Sequence, residues 1–448
     1  MRKEKKAREI FIKRKIQNLC FGFLAGLLVC LCAGGAGYWL LVGRQEASPE
    51  SETGVEGDKE ERMEEVQAEA EGEAPGMTEK EAETEEPEPA AEPEKTEEEL
   101  LEERIEAVLA EMTLEEKILQ LFMITPEALT GYETVTAAGE QTKEAILKRP
   151  VGGIIYFAKN LKEPEQVKTM LTNTRQYYAE AGLPEPFLGV DEEGGLVARI
   201  GGQSAFAVER IPAMRSIGDQ GDPEEARRVG TVIGSYLSEL GFTMDFAPVA
   251  DVLTNPGNQV IGSRSFGSDP DLVTRMALAE AEGLESAGVW AVLKHFPGHG
   301  ATLGDSHAGY AYTDKTLEQL MEAELVPFQK GAQEGISFIM AAHISAPSVT
   351  GDETPSTLSS YMITDVLRGA LGYEGIVVTD AMNMGAVSQQ YDSGTAAVLA
   401  LQAGVDLLLM PADFESACEG VLAALESGAL TEERIEESVR RILRVKYQ

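Results

Sequence analysis

Histidine is scarce in this chain and confined to one stretch of it. Four occur in 448 residues, His295, His299, His307 and His343, and three of them fall within KHFPGHGATLGDSH, residues 294–307. A histidine kept for packing has no reason to cluster with others, so the grouping points to a shared site. Asp305 and His307 are separated by one residue in a glycine-containing stretch. A carboxylate beside an imidazole fixes its tautomer and stabilises the imidazolium that donates a proton. Asp380 closes the apolar run GIVVTD and is followed by AMNMGA, whose small residues leave room for a substrate. Cleaving an acetal through an oxocarbenium-like transition state requires a carboxylate beneath the anomeric carbon and a proton donor on the leaving oxygen. Asp380 suits the first role; Asp305 and His307 suit the second. Asp-Ser-His in isolation would read as a turn with an Asx cap, and its context argues otherwise.

Groups of this kind must be held by rigid elements. From Leu101 onward, short apolar runs alternate with amphipathic helical stretches. Eight runs read as strands, at 119–124, 151–157, 187–191, 244–251, 289–296, 336–344, 375–380 and 406–411. GIVVT and VDLLLM are continuously apolar, as strands of a parallel sheet covered on both faces must be. Helical patterns occupy 164–181, 223–240, 269–287, 317–333 and 359–370, and a last one at 431–447 opens with the capping-box-like TEER. Eight β-then-α units predict an α/β fold, a single (β/α)₈ TIM barrel. No GxGxxG follows a strand, which disfavours an open doubly wound sheet. Barrel chemistry gathers at the carboxyl ends of strands, and here those ends carry Asp191, Asp251, Lys294 with His295, His343 and Asp380. One charge ending a buried strand is ordinarily an ion pair; charges ending five strands of one sheet argue for a site.

The remainder of the chain reads as tether and spacer. Residues 19–42 contain no charge, and about 20 such residues span a hydrocarbon core. Lys13, Arg14 and Lys15 precede this run, so 1–18 is expected to be a basic cytoplasmic tail and 19–42 a transmembrane anchor. A cleaved signal peptide would have a shorter core and a small-x-small site; a lipoprotein would want a small residue where Val29 precedes Cys30. Residues 43–100 are rich in Glu, Pro and Ala, with 23 acids and 4 bases between 46 and 100, and predict a disordered linker. The net charge of −38 excludes a nucleic-acid partner. Cys20, Cys30 and Cys32 lie in the apolar run and Cys418 stands alone, so 101–448 must fold without a disulfide. The expectation is a single-pass cell-membrane protein with its catalytic domain outside.

VDEEGG, IGSRSF, KHFPGHG followed by DSH, and VVTDAMNMGA occur in this order across 101–448. Together they resemble glycoside hydrolase family 3, and most closely its bacterial NagZ-type β-N-acetylglucosaminidases. The resemblance implies that Asp380 forms a covalent glycosyl-aspartate with retention of configuration. It implies His307 as acid/base with Asp305 as its partner, and Asp191, Arg199, Arg264, Lys294 and His295 as ligands of the terminal sugar's hydroxyls. The implied reaction is hydrolysis of terminal non-reducing N-acetylglucosamine from peptidoglycan (GlcNAc-MurNAc) fragments, by a monomer with no cofactor and no metal. Leu196 stands where relatives often carry a basic residue. The sequence to Gln448 holds no αβα sandwich domain, which supplies the proton donor in relatives with glutamate acid/bases; that agrees with a self-sufficient dyad. A zinc-dependent barrel hydrolase is the rival enzyme, with His295, His299, His307 and Asp305 as ligands, but no His-x-His ends the first strand and Asp380 and Lys294 would lack tasks. A non-catalytic sugar-binding wall protein would need the pocket without the three catalytic groups. β-Glucosidase-like, β-xylosidase-like, phosphorolytic and transglycosylating variants stay open.

Overall fold

The computed structural model describes residues 95–306 and 309–448. The expected tail, anchor and nearly all of the linker lie outside the described residues, and so does His307. Among the described residues no helix is long and apolar enough to cross a membrane.

Ten strands run through the described residues: β1 (Phe122–Ile124), β2 (Gly153–Ile155), β3 (Phe187–Val190), β4 (Glu192–Gly194), β5 (Val197–Ala198), β6 (Met244–Asp245), β7 (Trp290–Phe296), β8 (Phe338–Ala341), β9 (Ile376–Thr379) and β10 (Leu408–Leu409). Eight of them pair in parallel in the order β10-β1-β2-β3-β6-β7-β8-β9. A parallel bridge between Val378 and Leu407 brings the two edges together, so the barrel is nearly closed. All eight expected strands are present, but each is shorter than its apolar run. The run at 119–124 shows why. Leu119 and Gln120 end the helix Leu114–Gln120, which a Thr113–Glu116 capping box starts, and they are apolar or buried because that helix faces the core. At 244–251 regular pairing ends after Asp245, but the backbone stays bonded to its neighbours: the Phe246 N–H donates to the Val190 carbonyl, and the Ala247 and Pro248 carbonyls accept from Val292 and Lys294. Val249 is bridged to Lys294.

The helices 164–181, 223–240, 269–287 and 431–447 appear as Pro164–Glu180, Pro223–Leu240, Pro270–Ser286 and Glu432–Tyr447. The stretch 317–333 is two helices, Leu317–Glu322 and Val326–Glu334, because Pro327 tolerates only the first turn of a helix. The helix at 359–370 takes the π form over Tyr361–Ala370. A further helix, Glu97–Glu111, begins within the stretch that composition assigned to the linker. Its acids are fastened: Glu98 and Glu102 pair with Arg444, and Glu106 meets Arg440 at 2.6 Å. Composition cannot anticipate arginines that arrive from more than 300 residues away.

The amino-terminal mouth of the barrel is blocked by the last helix. Lys446 donates to Gln120 Oε1 at 2.8 Å and to the Gly152 carbonyl at 3.0 Å, and lies over the Phe187 ring. The rings of Phe187, Trp290 and Phe338 pack together across the interior, while Leu188, Leu293, Ile339 and Val377 on the other face of the strands are buried under the helices, each contributing about 1.5–3 kcal/mol by leaving water. That leaves the carboxyl ends of the strands as the open face.

Candidate active site

The segment after β3 builds the first wall. Asp191 leaves the strand, and the β4–β5 hairpin turns the chain back on itself through Gly194 (φ 81°) and Gly195 (φ 56°). A Cβ on either would stand 2.8 Å from an atom of the opposing 211–213 segment, so glycine is required twice. Glu192 locks the fold-back. Its carboxylate accepts the N–H groups of Ile200 and Gly201 at 2.8 and 2.7 Å and the Tyr236 hydroxyl at 2.9 Å. Arg199, just beyond β5, is thereby returned to within 3.7 Å of Asp191. Leu196 at the hairpin tip is 84% exposed, as a side chain that supports nothing in the fold would be.

The second wall comes from β7. Successive strand residues normally face opposite ways, but the β7–β8 register slips between Lys294 and Phe296, and both Lys294 and His295 reach the cavity. Lys294 Nζ lies 2.6 Å from Glu193 and 3.2 Å from Asp191. Burial would strip its proton, but those two carboxylates hold the ammonium above its ordinary pKa. Glu193 also receives two hydrogen bonds of 2.7 Å from Arg264. Burial alone would raise the Glu193 pKa, and the charges of Lys294 and Arg264 overcome this and hold it far below the carboxylate range. His295 Nδ1 meets Asp251 Oδ2 at 2.6 Å, and its Nε2 lies 3.4 Å from Arg264.

Asp380 follows β9 and accepts the Ala381 N–H at 2.8 Å. Burial pushes its pKa up, but His343, His295, the Ala381 N–H and Lys294 bring it below its ordinary value, so the carboxylate is ionised at neutral pH. Asp380, Asp191, Arg199, Arg264, Lys294 and His295 all line one cavity of about 280 Å³. That is near the lower end of the roughly 300–1,000 Å³ usual for ligand sites and suits one small ring. The wall facing the charges is apolar, with Phe157, Met340, Leu409 and Met410. A larger cleft of about 510 Å³ around Gln120, Pro150 and Glu185 sits where β1, β2 and β3 begin, the end of a barrel that serves stability.

Asp305 does not line this cavity. It lies on the loop after β7, where its carbonyl accepts the Gly309 N–H, and its intended partner His307 is outside the described residues. Among the described residues no group of three or more His, Cys, Asp or Glu is placed to hold a metal ion. Glu193 and Met410 were not singled out by sequence, and Asp251 was noted among the strand-end charges without a role. Glu193 was visible in VDEEGG, where alternation put Asp191 and Glu193 on the same side. Asp251 was visible as a charge ending a strand. Met410 gave no signal: it adopts a φ of 50° at the cavity rim, a cost that non-glycine residues bear chiefly where position matters.

Behind Glu193 lies a second group of acids. Glu280, on helix Pro270–Ser286, is fully buried, and its pKa is pushed up to about 8, first by burial and then by the charge of Glu193, with Lys294 opposing. Glu192 and Asp245 nearby are also raised by burial, and Asp245 further by Glu192. A carboxyl whose folded pKa is raised keeps its proton in the native state after the unfolded chain has lost it, so stability falls as pH rises from about 4.5 to 8. Glu280→Gln mimics the protonated form at every pH. The variant is expected to match the wild type near pH 4.5 and to exceed it at pH 8 by on the order of 2–4 kcal/mol. Denaturant unfolding across that range checks it, and a gain that does not vary with pH would contradict the assignment.

The description "Glycosyl hydrolase family 3 N terminal domain" matches residues 113–445. Beta-hexosaminidase A of Pseudoalteromonas piscicida is 36% identical over 340 residues, 70% of this chain and 56% of that protein, so this chain spans little more than half of that relative. The beta-hexosaminidase of Pseudomonas aeruginosa is 36% identical over 283 residues, 63% of this chain and 81% of that protein. Among solved structures, a glycoside hydrolase family 3 β-N-acetylglucosaminidase from Paenibacillus superposes with a TM-score of 0.70 at 39% identity, covering 75% of this chain and 64% of that one. A family 3 glycosyl hydrolase from Mycobacterium smegmatis gives 0.65 at 33%, covering 75% and 97%. Because the match runs from Thr113 to Val445, through every strand that carries a wall of the cavity, the chain belongs to glycosyl hydrolase family 3.

Proposed function

We propose that this chain is a retaining β-N-acetylglucosaminidase that releases terminal non-reducing N-acetylglucosamine, with peptidoglycan fragments as its natural substrate. The observation that carries the reading is a single ring-sized cavity in which the ionised Asp380 faces an ion-paired set of hydroxyl ligands. Relatives named as β-hexosaminidases and a neighbour named as a β-N-acetylglucosaminidase support the choice of sugar.

In this reading Asp191 accepts from the sugar hydroxyls, Lys294, Arg264 and Arg199 donate to them, and His295 completes the set, while Glu193 holds Lys294 and Arg264 in place. Each charge is neutralised by its neighbour, so a neutral sugar enters without meeting an unbalanced field. Asp380 attacks the anomeric carbon as His307, backed by Asp305, protonates the leaving oxygen. The resulting glycosyl-aspartate is attacked by water, whose proton returns to the same histidine, and configuration is retained. The apolar run 19–42 anchors the protein in the cell membrane with the catalytic domain, a monomer, outside. Protease treatment of intact cells that spared the domain would refute that placement.

The deciding assay compares p-nitrophenyl β-N-acetylglucosaminide with the glucoside and the xyloside, using the full chain in phosphate buffer and following product configuration by NMR. The expected result is selective release of β-N-acetylglucosamine. Preference for the glucoside or xyloside would overturn the sugar assignment, and N-acetylglucosamine 1-phosphate as product would replace hydrolysis with phosphorolysis.

A further inference from the structure

The loop after β7 contains a contact that the mechanism above does not use. Ser306 stands in sequence between Asp305 and His307. It is 1% exposed, although Leu303 and Tyr310 of the same loop are exposed. A hydroxyl withdrawn from water needs a partner, and Ser306 Oγ finds one in Nε2 of His299 at 3.1 Å. The Ser306 carbonyl accepts the Ala386 N–H at 3.2 Å, six residues beyond Asp380.

His299 is itself fixed at its other polar atoms. Its N–H donates to Asp251 Oδ1 at 2.5 Å, its Nδ1 meets Thr302 Oγ1 at 2.9 Å, and its carbonyl accepts from Asn258 at 2.7 Å. Burial holds its pKa below the ordinary value against the opposing charge of Asp251. A neutral imidazole offers one donor and one acceptor, and two hydroxyls that can each take either role satisfy both. Asp251 is also the carboxylate that holds His295. One chain of contacts therefore runs from the sugar-binding His295, through Asp251 and His299, to the residue between the members of the proposed dyad.

We infer that Ser306 and His299 are positioning residues for the acid/base, their contact fixing the loop on the frame that also holds the sugar and the nucleophile segment. The inference rests on the reading of Asp305 and His307 as acid and base. A contact that only fills a buried loop would weaken every substrate alike. A contact that places a proton donor matters only when the leaving group needs the proton.

The test measures kcat/KM of the full chain on two aryl β-N-acetylglucosaminides. Dinitrophenolate departs unprotonated, whereas unsubstituted phenoxide needs the acid. Ser306→Ala and His299→Gln are each expected to lose about 10–100-fold on the phenyl substrate, part of the 10²–10⁴ that a positioned acid supplies. Each should lose less than about 3-fold on the dinitrophenyl substrate. Both substitutions act on the Ser306–His299 contact, and His299→Gln also disturbs the Thr302 contact, so the double variant should lose no more than His299→Gln alone, and Ser306→Thr should recover the phenyl rate. Equal losses on both substrates would overturn the positioning role, as would failure of both single variants to fold, which would make the contact purely structural. Wild-type protein that turned over neither substrate would remove the functional reading, and the positioning role with it, a result distinct from active wild type with uniform losses in the variants.

Discussion

Asp380→Ala is expected to lower kcat on p-nitrophenyl β-N-acetylglucosaminide by about 10⁴-fold or more, about 5.4 kcal/mol of transition-state stabilisation, while leaving the fold intact. The second half follows from the contacts. The Asp380 carboxylate accepts a hydrogen bond from its own neighbour Ala381, and removing a charge from an enclosed site relieves its desolvation cost. The first half follows from the role: without the carboxylate no glycosyl-aspartate forms. A small external anion supplies the distinguishing check. Azide admitted to the space left by the side chain should restore turnover of an activated aryl substrate and yield the α-configured glycosyl azide. Activity within tenfold of wild type, or a rescued product of β configuration, would remove Asp380 as the nucleophile.

The barrel was legible in the sequence because its strands are covered on both faces and so read as unbroken apolar runs. The charges at their ends were legible for the complementary reason, since a carboxylate after GIVVT or FLGV has no packing role. Strand ends were not legible, because apolar residues of flanking helices, such as Leu119, extend the runs. The helix Glu97–Glu111 was hidden in acidic composition whose partners Arg440 and Arg444 lie far along the chain. Within the site, motif resemblance pointed to the residues that ring the cavity; Glu193 went unremarked and Asp251, noted as a strand-end charge, was given no role, because their work is done on other side chains. A residue that holds Lys294 and Arg264, or His295, shows its importance only when distances are known.

Glu193 therefore gives the second large effect. It is 2% exposed and is the shared partner of two cations, Lys294 at 2.6 Å and Arg264 through two bonds of 2.7 Å. In Glu193→Gln one oxygen becomes an amide NH₂, which must face one of these cations, and both positive charges remain buried with no carboxylate between them. Removing one partner of such a pair costs about 3–5 kcal/mol. With Lys294 and Arg264 displaced from the sugar, kcat/KM should fall by about 10³-fold, equivalent to about 4 kcal/mol. The pH dependence has a definite sign. The Glu193 pKa is depressed in the fold, so its contribution is present above the ordinary glutamate value of 4.5 and is lost as pH falls below it. Wild type and variant should differ most near neutrality and converge in acid. Asp191→Asn is the control, because Asp191 is 20% exposed and touches Lys294 at the longer distance of 3.2 Å. It should lose activity while changing stability by less than about 1 kcal/mol. If Glu193→Gln instead kept wild-type stability and lost only activity, Glu193 would act as a sugar ligand and not as the post that fixes two others. If it kept both, the ion-paired wall would have no part in holding the substrate.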